Sequence, residues 1–263
     1  MIKHTREEKI EALGRVIDTL EELRVKCPWD RKQTNESLRA NTIEEVYELA
    51  QALISDDVAE IRKELGDVLL HVLFYAKIGE EKDRFDIVDV ADSLNNKLIF
   101  RHPHVFGDVV ASDAQAVSEN WEQIKLKEKG GNKTVLGGVP AALPALIKAC
   151  RVQEKAANVG FDWEEAHQVW DKVSEELGEA RMAAETESQQ RVEEEFGDLL
   201  FSVINAARKY DINPENALER TNVKFIRRFN YVEQEAKKNG RELKDMTLAE
   251  MDALWDEAKK NNL

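Results

Sequence analysis

Two carboxylates three residues apart, followed sixteen positions on by a second such pair, occur twice in this chain. Residues 45–48 read EVYE and 64–67 read ELGD; residues 176–179 read ELGE and 195–198 read EFGD. Glu176, Glu179, Glu195 and Asp198 each stand 131 positions after their counterparts Glu45, Glu48, Glu64 and Asp67. Positions i and i+3 share one face of an α-helix, so the two members of each pair project together. The stretch between pairs is long enough for a helix to finish, turn (at SDD, 55–57, in the first copy) and return. The pattern predicts two helical hairpins, each turning four acids inward. Converging carboxylates without basic partners repel strongly, and their hard oxygens suit Mg²⁺ or Mn²⁺.

The competing reading is a solvated acidic face. Aspartate and glutamate fill 52 of 263 positions, so a given four-acid spacing recurs by chance about 0.4 times. The acids alone therefore decide little; their surroundings add to them. Val46, Leu49, Leu65, Val68 and Leu69 flank the first set, and Leu177, Phe196, Leu199 and Leu200 the second. Acids so placed lie at the edge of a core, where a charge needs a partner.

The rest of the chain reads as helix. Leu13, Val16, Ile17, Leu20 and Leu23 follow the i, i+3, i+4, i+7 pattern, and residues near 40–54, 58–78, 86–100 and 113–127 repeat it. Ser112 with Gln115, and Thr247 with Glu250, have capping-box spacing. Asn213-Pro214 reads as an N-cap with proline in the first turn, and Asn239-Gly240 as a helix stop. No run of alternating β-branched residues competes, so the expected fold is all-α. KEKGGNKTVLGGVP at 127–140 breaks the pattern with four of the twelve glycines. It divides the chain into a helical domain at 1–126, a linker at 127–145 and a second helical domain at 146–263. Each half carries an aromatic approach (CPWD at 27–30, GFDW at 160–163), the acid pairs and an i, i+4 basic pair (Lys97/Arg101, Lys224/Arg228). A late tryptophan follows in each (Trp121, Trp255), with a lysine four residues on, Lys125 or Lys259. This is a tandem duplication with drifted loops.

Other residues are weighed the same way. Lys224 and Arg228 share a helical face and can clamp phosphate oxygens, or simply pair with surface acids such as Glu219 or Glu233. Trp255 is a base-stacking platform or a core plug. Glu164 and His167 form one Glu-x-x-His step; a di-iron bundle needs two, so a polar helix start is the simpler reading. His102 and His104 flank Pro103 and read as loop residues. Cys27 and Cys150 supply no disulfide framework and read as small buried residues.

A formal charge of −14 argues against nucleic acid or anionic membrane as a general partner. A small anionic substrate stays open if metal ions or clustered cations reverse the field. The longest apolar run, VLLHVLFYA from Val68, is too short to span a bilayer. The segment MIKHTREEKI has no apolar signal core, so the expected location is the cytoplasm.

Taken together, EEVYE…ELGD, EELGE…EFGD, CPWD, FRHPHVF, WEQIK and NVGFDW closely resemble the MazG nucleoside triphosphate pyrophosphohydrolases over nearly the whole chain, including the tandem arrangement. The resemblance implies an all-α NTP-pyrophosphohydrolase fold, a homodimer, and Mg²⁺-dependent cleavage of NTP or dNTP to nucleoside monophosphate and pyrophosphate. It implies metal ligation by Glu176, Glu179, Glu195 and Asp198. It places nucleotide contacts on Lys172, Arg191, Glu194, Lys224, Arg228 and Trp255, and clearance or control of nucleotide pools belongs to it alone.

The halves are not equal. Asn41 occupies the position of Lys172 and Glu60 that of Arg191. Both changes remove positive charge where a triphosphate would lie, so the second half is expected to hold the main catalytic site. The first half keeps its quartet and Lys97/Arg101 and is expected to bind metal. Residue type and position allow Glu175 or Glu194 as general base, and attack at the α- or the β-phosphorus; base preference is not legible. Rival readings are a di-iron carboxylate protein and a non-enzymatic helical interaction module. An apolar stripe on the first hairpin (Leu49, Leu53, Leu69, Leu73), together with the resemblance, predicts four-helix-bundle packing through a homodimer.

Overall fold

The computed structural model describes residues 4–107, 134–261 and 263. Ten α-helices and no strand occur among the described residues. The chain separates into two compact units, Met1–Val110 and Ala111–Leu263. The helix expected at 113–127, the Ser112/Gln115 cap, WEQIK with Trp121 and Lys125, and the start of the linker lie outside the described residues.

In the first unit, α1 (Arg6–Lys26) and α2 (Asn35–Ser55) are followed by α3 (Val58–Glu80), α4 (Ile87–Arg101) and the single turn α5 (Pro103–Phe106). The reversal between α2 and α3 uses two residues. Asp56 takes a left-handed conformation (φ 53°), and Asp57 caps α3 by accepting from the backbone N–H of Ala59 and Glu60. Thr5, Thr34 and Asp86 start α1, α2 and α4 with reciprocal capping boxes. The core forms where α1 and α2 meet α3: Leu20, Leu38, Leu73, Phe74 and Ile78 are buried together, with Ile17, Leu69 and Ile87 against them.

The second unit begins with residues 134–144, where a short 3-10 turn at Leu136–Gly138 packs on α6 (Ala145–Ala157). It continues with α7 (Gln168–Thr186), α8 (Gln189–Lys209), α9 (Pro214–Lys238) and α10 (Leu248–Lys260). The α7–α8 hairpin matches α2–α3 at the 131-residue offset, and each hairpin makes the most extensive contacts in its unit. Asn213 caps α9 ahead of Pro214, Thr247 and Glu250 form the expected capping box, and α9 stops at Asn239 before Gly240 (φ +67°).

Several expectations need correction. The two cysteines are half-buried rather than core residues. Pro103 ends α4 but opens α5, so His104 is helical; Pro suits a first helical position because it needs no amide partner there. Glu164 and His167 precede α7, whose first residue is Gln168, so they share no helical face. Leu73 is buried in the unit core and Leu69 packs against it. Of the expected stripe Leu53 is exposed and Leu49 half-buried, and further exposed apolar residues of the first hairpin include Val46, Leu65, Leu70 and Val72. No helix among the described residues is long and apolar enough to cross a membrane.

Candidate active site

Both hairpins bring three carboxylates together. Ligand oxygens of Glu45, Glu48 and Glu64 lie within 4.8 Å of one another, and so do those of Glu176, Glu179 and Glu195. Asp67 and Asp198 stand outside these groups; Asp198 instead lines a cavity with Glu176. Glu64, Glu176 and Glu195 are buried. A buried carboxylate is costly without compensation, so its surroundings decide what the cluster can do.

In the second unit two cations compensate. Lys172 reaches Glu176 at 2.7 Å and Glu175 at 3.0 Å; both bonds hold its ammonium well above the usual lysine range. Arg191 reaches Glu194 at 3.0 Å and also pairs with Glu195, one turn along α8. Glu175 and Glu194, the candidate general bases, are therefore both exposed partners of a cation.

The first unit is compensated differently. Asn41 and Glu60 supply no positive charge, but Lys63 sits 2.6 Å from Glu64. Its counterpart at the 131-residue offset is Glu194, so the helical pair Arg191/Glu194 is reversed to Glu60/Lys63. Residue-by-residue matching of cations missed this replacement, although the reversal is visible in the sequence. One cation still leaves the cluster more acidic. Among the described residues Glu64 Oε2 is buried without a hydrogen-bond partner, and burial together with Asp67, Glu48 and Glu64 pushes the Glu45 carboxyl up.

The units differ most behind the acids. In the second, a cavity of about 370 Å³ opens from Lys172, Glu176 and Asp198 between α6, α7 and α8. Its walls include Phe161, Trp163, Val169 and Phe201. At the positions matched by the 131-residue offset in the first unit, Phe74 replaces Asn205, Leu38 replaces Val169 and His71 replaces Ser202; all three are buried. His71 and Tyr75 bond Thr42 at 3.0 and 2.6 Å and so tie α3 to α2 there. A larger cleft of about 510 Å³, touching Cys150 and Arg151, contains none of the clustered acids. The 370 Å³ cavity adjoins the second acidic cluster, and a cleft of about 260 Å³ lined by Glu48, Ala52, Lys63 and Glu64 adjoins the first.

The loop carrying Phe161 and Trp163 is fixed electrostatically. Arg208 donates to Asp162 at 3.1 and 2.5 Å, and Lys209 donates to it at 3.2 Å. Burial alone would raise the Asp162 carboxyl; these bonds outweigh it and draw it below the usual range. Gly160, at φ +89°, makes the turn into this loop in a conformation that favours glycine.

Lys224, Arg228 and Trp255 are not among the residues lining the cavity. They belong to α9 and α10, where Trp255 packs on Phe225 (centroids 5.0 Å apart) and the Arg228 guanidinium lies 5.8 Å from the Trp255 ring. Arg228 Nε also donates to the Leu263 carbonyl at 2.7 Å. Lys97 is exposed on α4.

The family model for the MazG nucleotide pyrophosphohydrolase domain matches residues 33–106 and again 164–233, each match containing one hairpin. The chain belongs to the MazG family. It is 44% identical over 234 residues to the nucleoside triphosphate pyrophosphohydrolase/pyrophosphatase MazG of Thermotoga maritima, covering 89% of each chain. It is 39% identical over 259 residues to the nucleoside triphosphate pyrophosphohydrolase of Escherichia coli, covering 97% of this chain and 98% of that one. An uncharacterised Bacillus subtilis protein, YabN, is 50% identical over 236 residues, which are 89% of this chain and 48% of the longer relative. The tandem MazG domains coincide with the two hairpins, so the duplication legible in the acids is a duplication of whole domains.

Proposed function

We propose that this chain hydrolyses nucleoside triphosphates to nucleoside monophosphates and pyrophosphate, with the main site in the second domain. The observation that carries the reading is the continuity between the Glu176/Glu179/Glu195 cluster, its two cations and an apolar-walled cavity. Such a cavity lies in the size range of small-ligand sites, about 300–1,000 Å³. Membership of the MazG family supports the reaction class.

An all-oxygen donor set that crowds acids, with a buried orphan oxygen on Glu64 in the sister cluster, fits a hard divalent cation such as Mg²⁺ or Mn²⁺. Glu176, Glu179 and Glu195 would hold it, with Asp198 beside them; Glu45, Glu48, Glu64 and Asp67 would hold one in the first domain. When bound, the ion supplies Lewis-acid polarisation of phosphate oxygens and a water of lowered pKa. Lys172 and Arg191 then exchange their carboxylate partners for phosphate oxygens and stabilise charge there. That exchange frees Glu175 and Glu194, either of which can accept the proton of an attacking water. Lys224, Arg228 and Trp255, on α9 and α10, are the residues that the family resemblance also assigns to the nucleotide.

Pyrophosphate release from ATP should require Mg²⁺ or Mn²⁺ and vanish with excess EDTA, returning when the ion is restored. Full turnover in a rigorously metal-free sample would exclude this chemistry.

The same reading includes a homodimer in the cytoplasm, with no nucleic-acid or membrane partner. Leu177, Phe196 and Leu200 on the second hairpin are exposed, as are Leu53, Leu65 and Val72 on the first. Apolar faces this broad commonly mark an interface. Light scattering at micromolar concentration should give twice the 30.1 kDa chain mass; a persistent monomer mass would remove the dimer from the proposal.

A further inference from the structure

We propose that Lys172 and Arg191 compete with the metal for its own ligands, closing the second cluster to a bare divalent cation until nucleotide phosphates draw them away. The inference rests on nucleoside triphosphates being the substrate and adds the order in which the site fills.

The two helices of the second hairpin carry the same device. On α7, Lys172 stands one turn before Glu176 and bonds it at 2.7 Å, with a second bond to Glu175 at 3.0 Å. On α8, Arg191 stands one turn before Glu195 and pairs with it, with a second bond to Glu194 at 3.0 Å. Glu176 and Glu195 are the buried members of the cluster. Each cation thus grips one buried and one exposed acid, and Lys172 also lines the cavity. A carboxylate oxygen held this way has committed a lone pair to an N–H donor, and a full positive charge stands beside the place of a dication. A bare ion gains those oxygens only by driving both cations into water.

Phosphates change that exchange. Lys172 and Arg191 give up carboxylate oxygens and take phosphate oxygens, which an ammonium and a guanidinium fork also bind. Neither loses an anionic partner, so a bound nucleotide favours metal binding, and by reciprocity the metal raises nucleotide affinity. Lys172 and Arg191 couple the two ligands, and they return to Glu176 and Glu195 when the products leave.

The first domain supplies the contrast. Asn41 and Glu60 stand at the matching positions, and Lys63 bonds Glu64 from the preceding position on α3. Among the described residues Glu64 keeps a buried oxygen without a partner, whereas no buried oxygen of Glu176 or Glu195 is left in that condition. The first cluster therefore takes a free divalent cation, and the second takes one together with a nucleotide.

The test titrates the full chain with Mn²⁺, followed by electron paramagnetic resonance, with and without α,β-methylene-ATP, whose bridging carbon resists cleavage. Without nucleotide the wild-type protein should bind one Mn²⁺ tightly and a second at least about ten-fold more weakly. Glu45→Gln/Glu48→Gln, which alters the less buried first-domain acids, should remove the tight site and expose the weak one. In that background Lys172→Met and Arg191→Gln should each tighten bare Mn²⁺ by about ten-fold, the reverse of what damage to a binding site produces. The analogue should strengthen Mn²⁺ binding there by about ten-fold or more, after correction for Mn²⁺ held by free nucleotide, and by less in both variants. Lys172→Arg keeps the competitor and should keep the weak site. Arg181→Gln, an exposed cation elsewhere on α7, should change neither.

Tight binding of bare Mn²⁺ to the second cluster before any substitution would overturn the proposal. So would unaltered affinity in folded Lys172→Met and Arg191→Gln proteins, or a tightening that Arg181→Gln reproduces. Unaltered affinity in a chain whose wild type still releases pyrophosphate from ATP sinks the competition alone. Tightening in a chain that releases none sinks the hydrolytic reading and leaves the competition standing.

Discussion

Glu176→Ala or Asp198→Ala should lower kcat/KM for nucleoside triphosphates by at least about 100-fold, because even partners that merely support metal ligands are worth about 10–100-fold. Glu45→Ala and Asp67→Ala, their equivalents in the first domain, should leave most of the activity intact. Net charge alone does not give this asymmetry. Among the described residues the first cluster has one neighbouring cation where the second has two, and Glu64 keeps a buried oxygen without a partner, so the first is expected to be the stronger trap for a bare divalent ion. Its own cleft is smaller, about 260 Å³ against about 370 Å³, and has no aromatic wall, and Phe74, Leu38 and His71 are buried at the positions matching Asn205, Val169 and Ser202 of the second domain's cavity. Glu45→Ala should therefore lower the number of ions bound per chain while sparing turnover, and Glu176→Ala should lower both. Equal loss of activity from the Glu45 and Glu176 variants, with both folded, would show that the first domain carries chemistry as well.

How much of this was legible in the sequence depended on the range of the interaction. The hairpins could be read because helical spacing is local: an acid pair at i, i+3 must share a face wherever the helix ends up. Asn213-Pro214 and Thr247…Glu250 were legible for the same reason, and Thr5…Glu8 carries the same signature without having been singled out. The Asp162–Arg208–Asn205 chain was not legible, since it closes over 46 positions between a loop and α8. The NVGFDW motif drew attention to Asp162 but not to its partner. The cavity was hidden more deeply. Asn205 lines it where the offset puts the buried Phe74 in the first domain, and sequence matching alone does not tell a cavity wall from a packed core. Position matching also miscounted charge, because Lys63 restores at one helical step what Glu60 removes at another.

Arg24→Ala should destabilise the first domain by about 2–3 kcal/mol and lower its melting transition by about 10–20 °C. The Arg24 side chain, on α1, is buried and donates to Glu81 at the end of α3 through Nε at 2.9 Å and Nη2 at 2.5 Å. Nη1 donates to the carbonyls of Asp30 and Gln33, tying the CPWD turn to the same point, and the guanidinium lies 5.4 Å from the Phe74 ring. Truncation leaves two carbonyls and a carboxylate without their donor. Glu81 is 38% exposed and can rehydrate, which keeps the loss below that of a fully buried pair, about 3–5 kcal/mol. Arg24→Lys should recover only part of it, because an ammonium cannot make the two-pronged contact. Acid provides a second check. The bonds from Arg24 hold the Glu81 carboxyl below the usual glutamate range. Their contribution is present above the unfolded pKa and is lost as pH falls through the lower folded value. The gap in melting temperature between wild type and Arg24→Ala should therefore narrow on acidification below the ordinary carboxylate range. A gap that stays constant would mean that lost packing against Phe74, and not the ion pair, sets the effect.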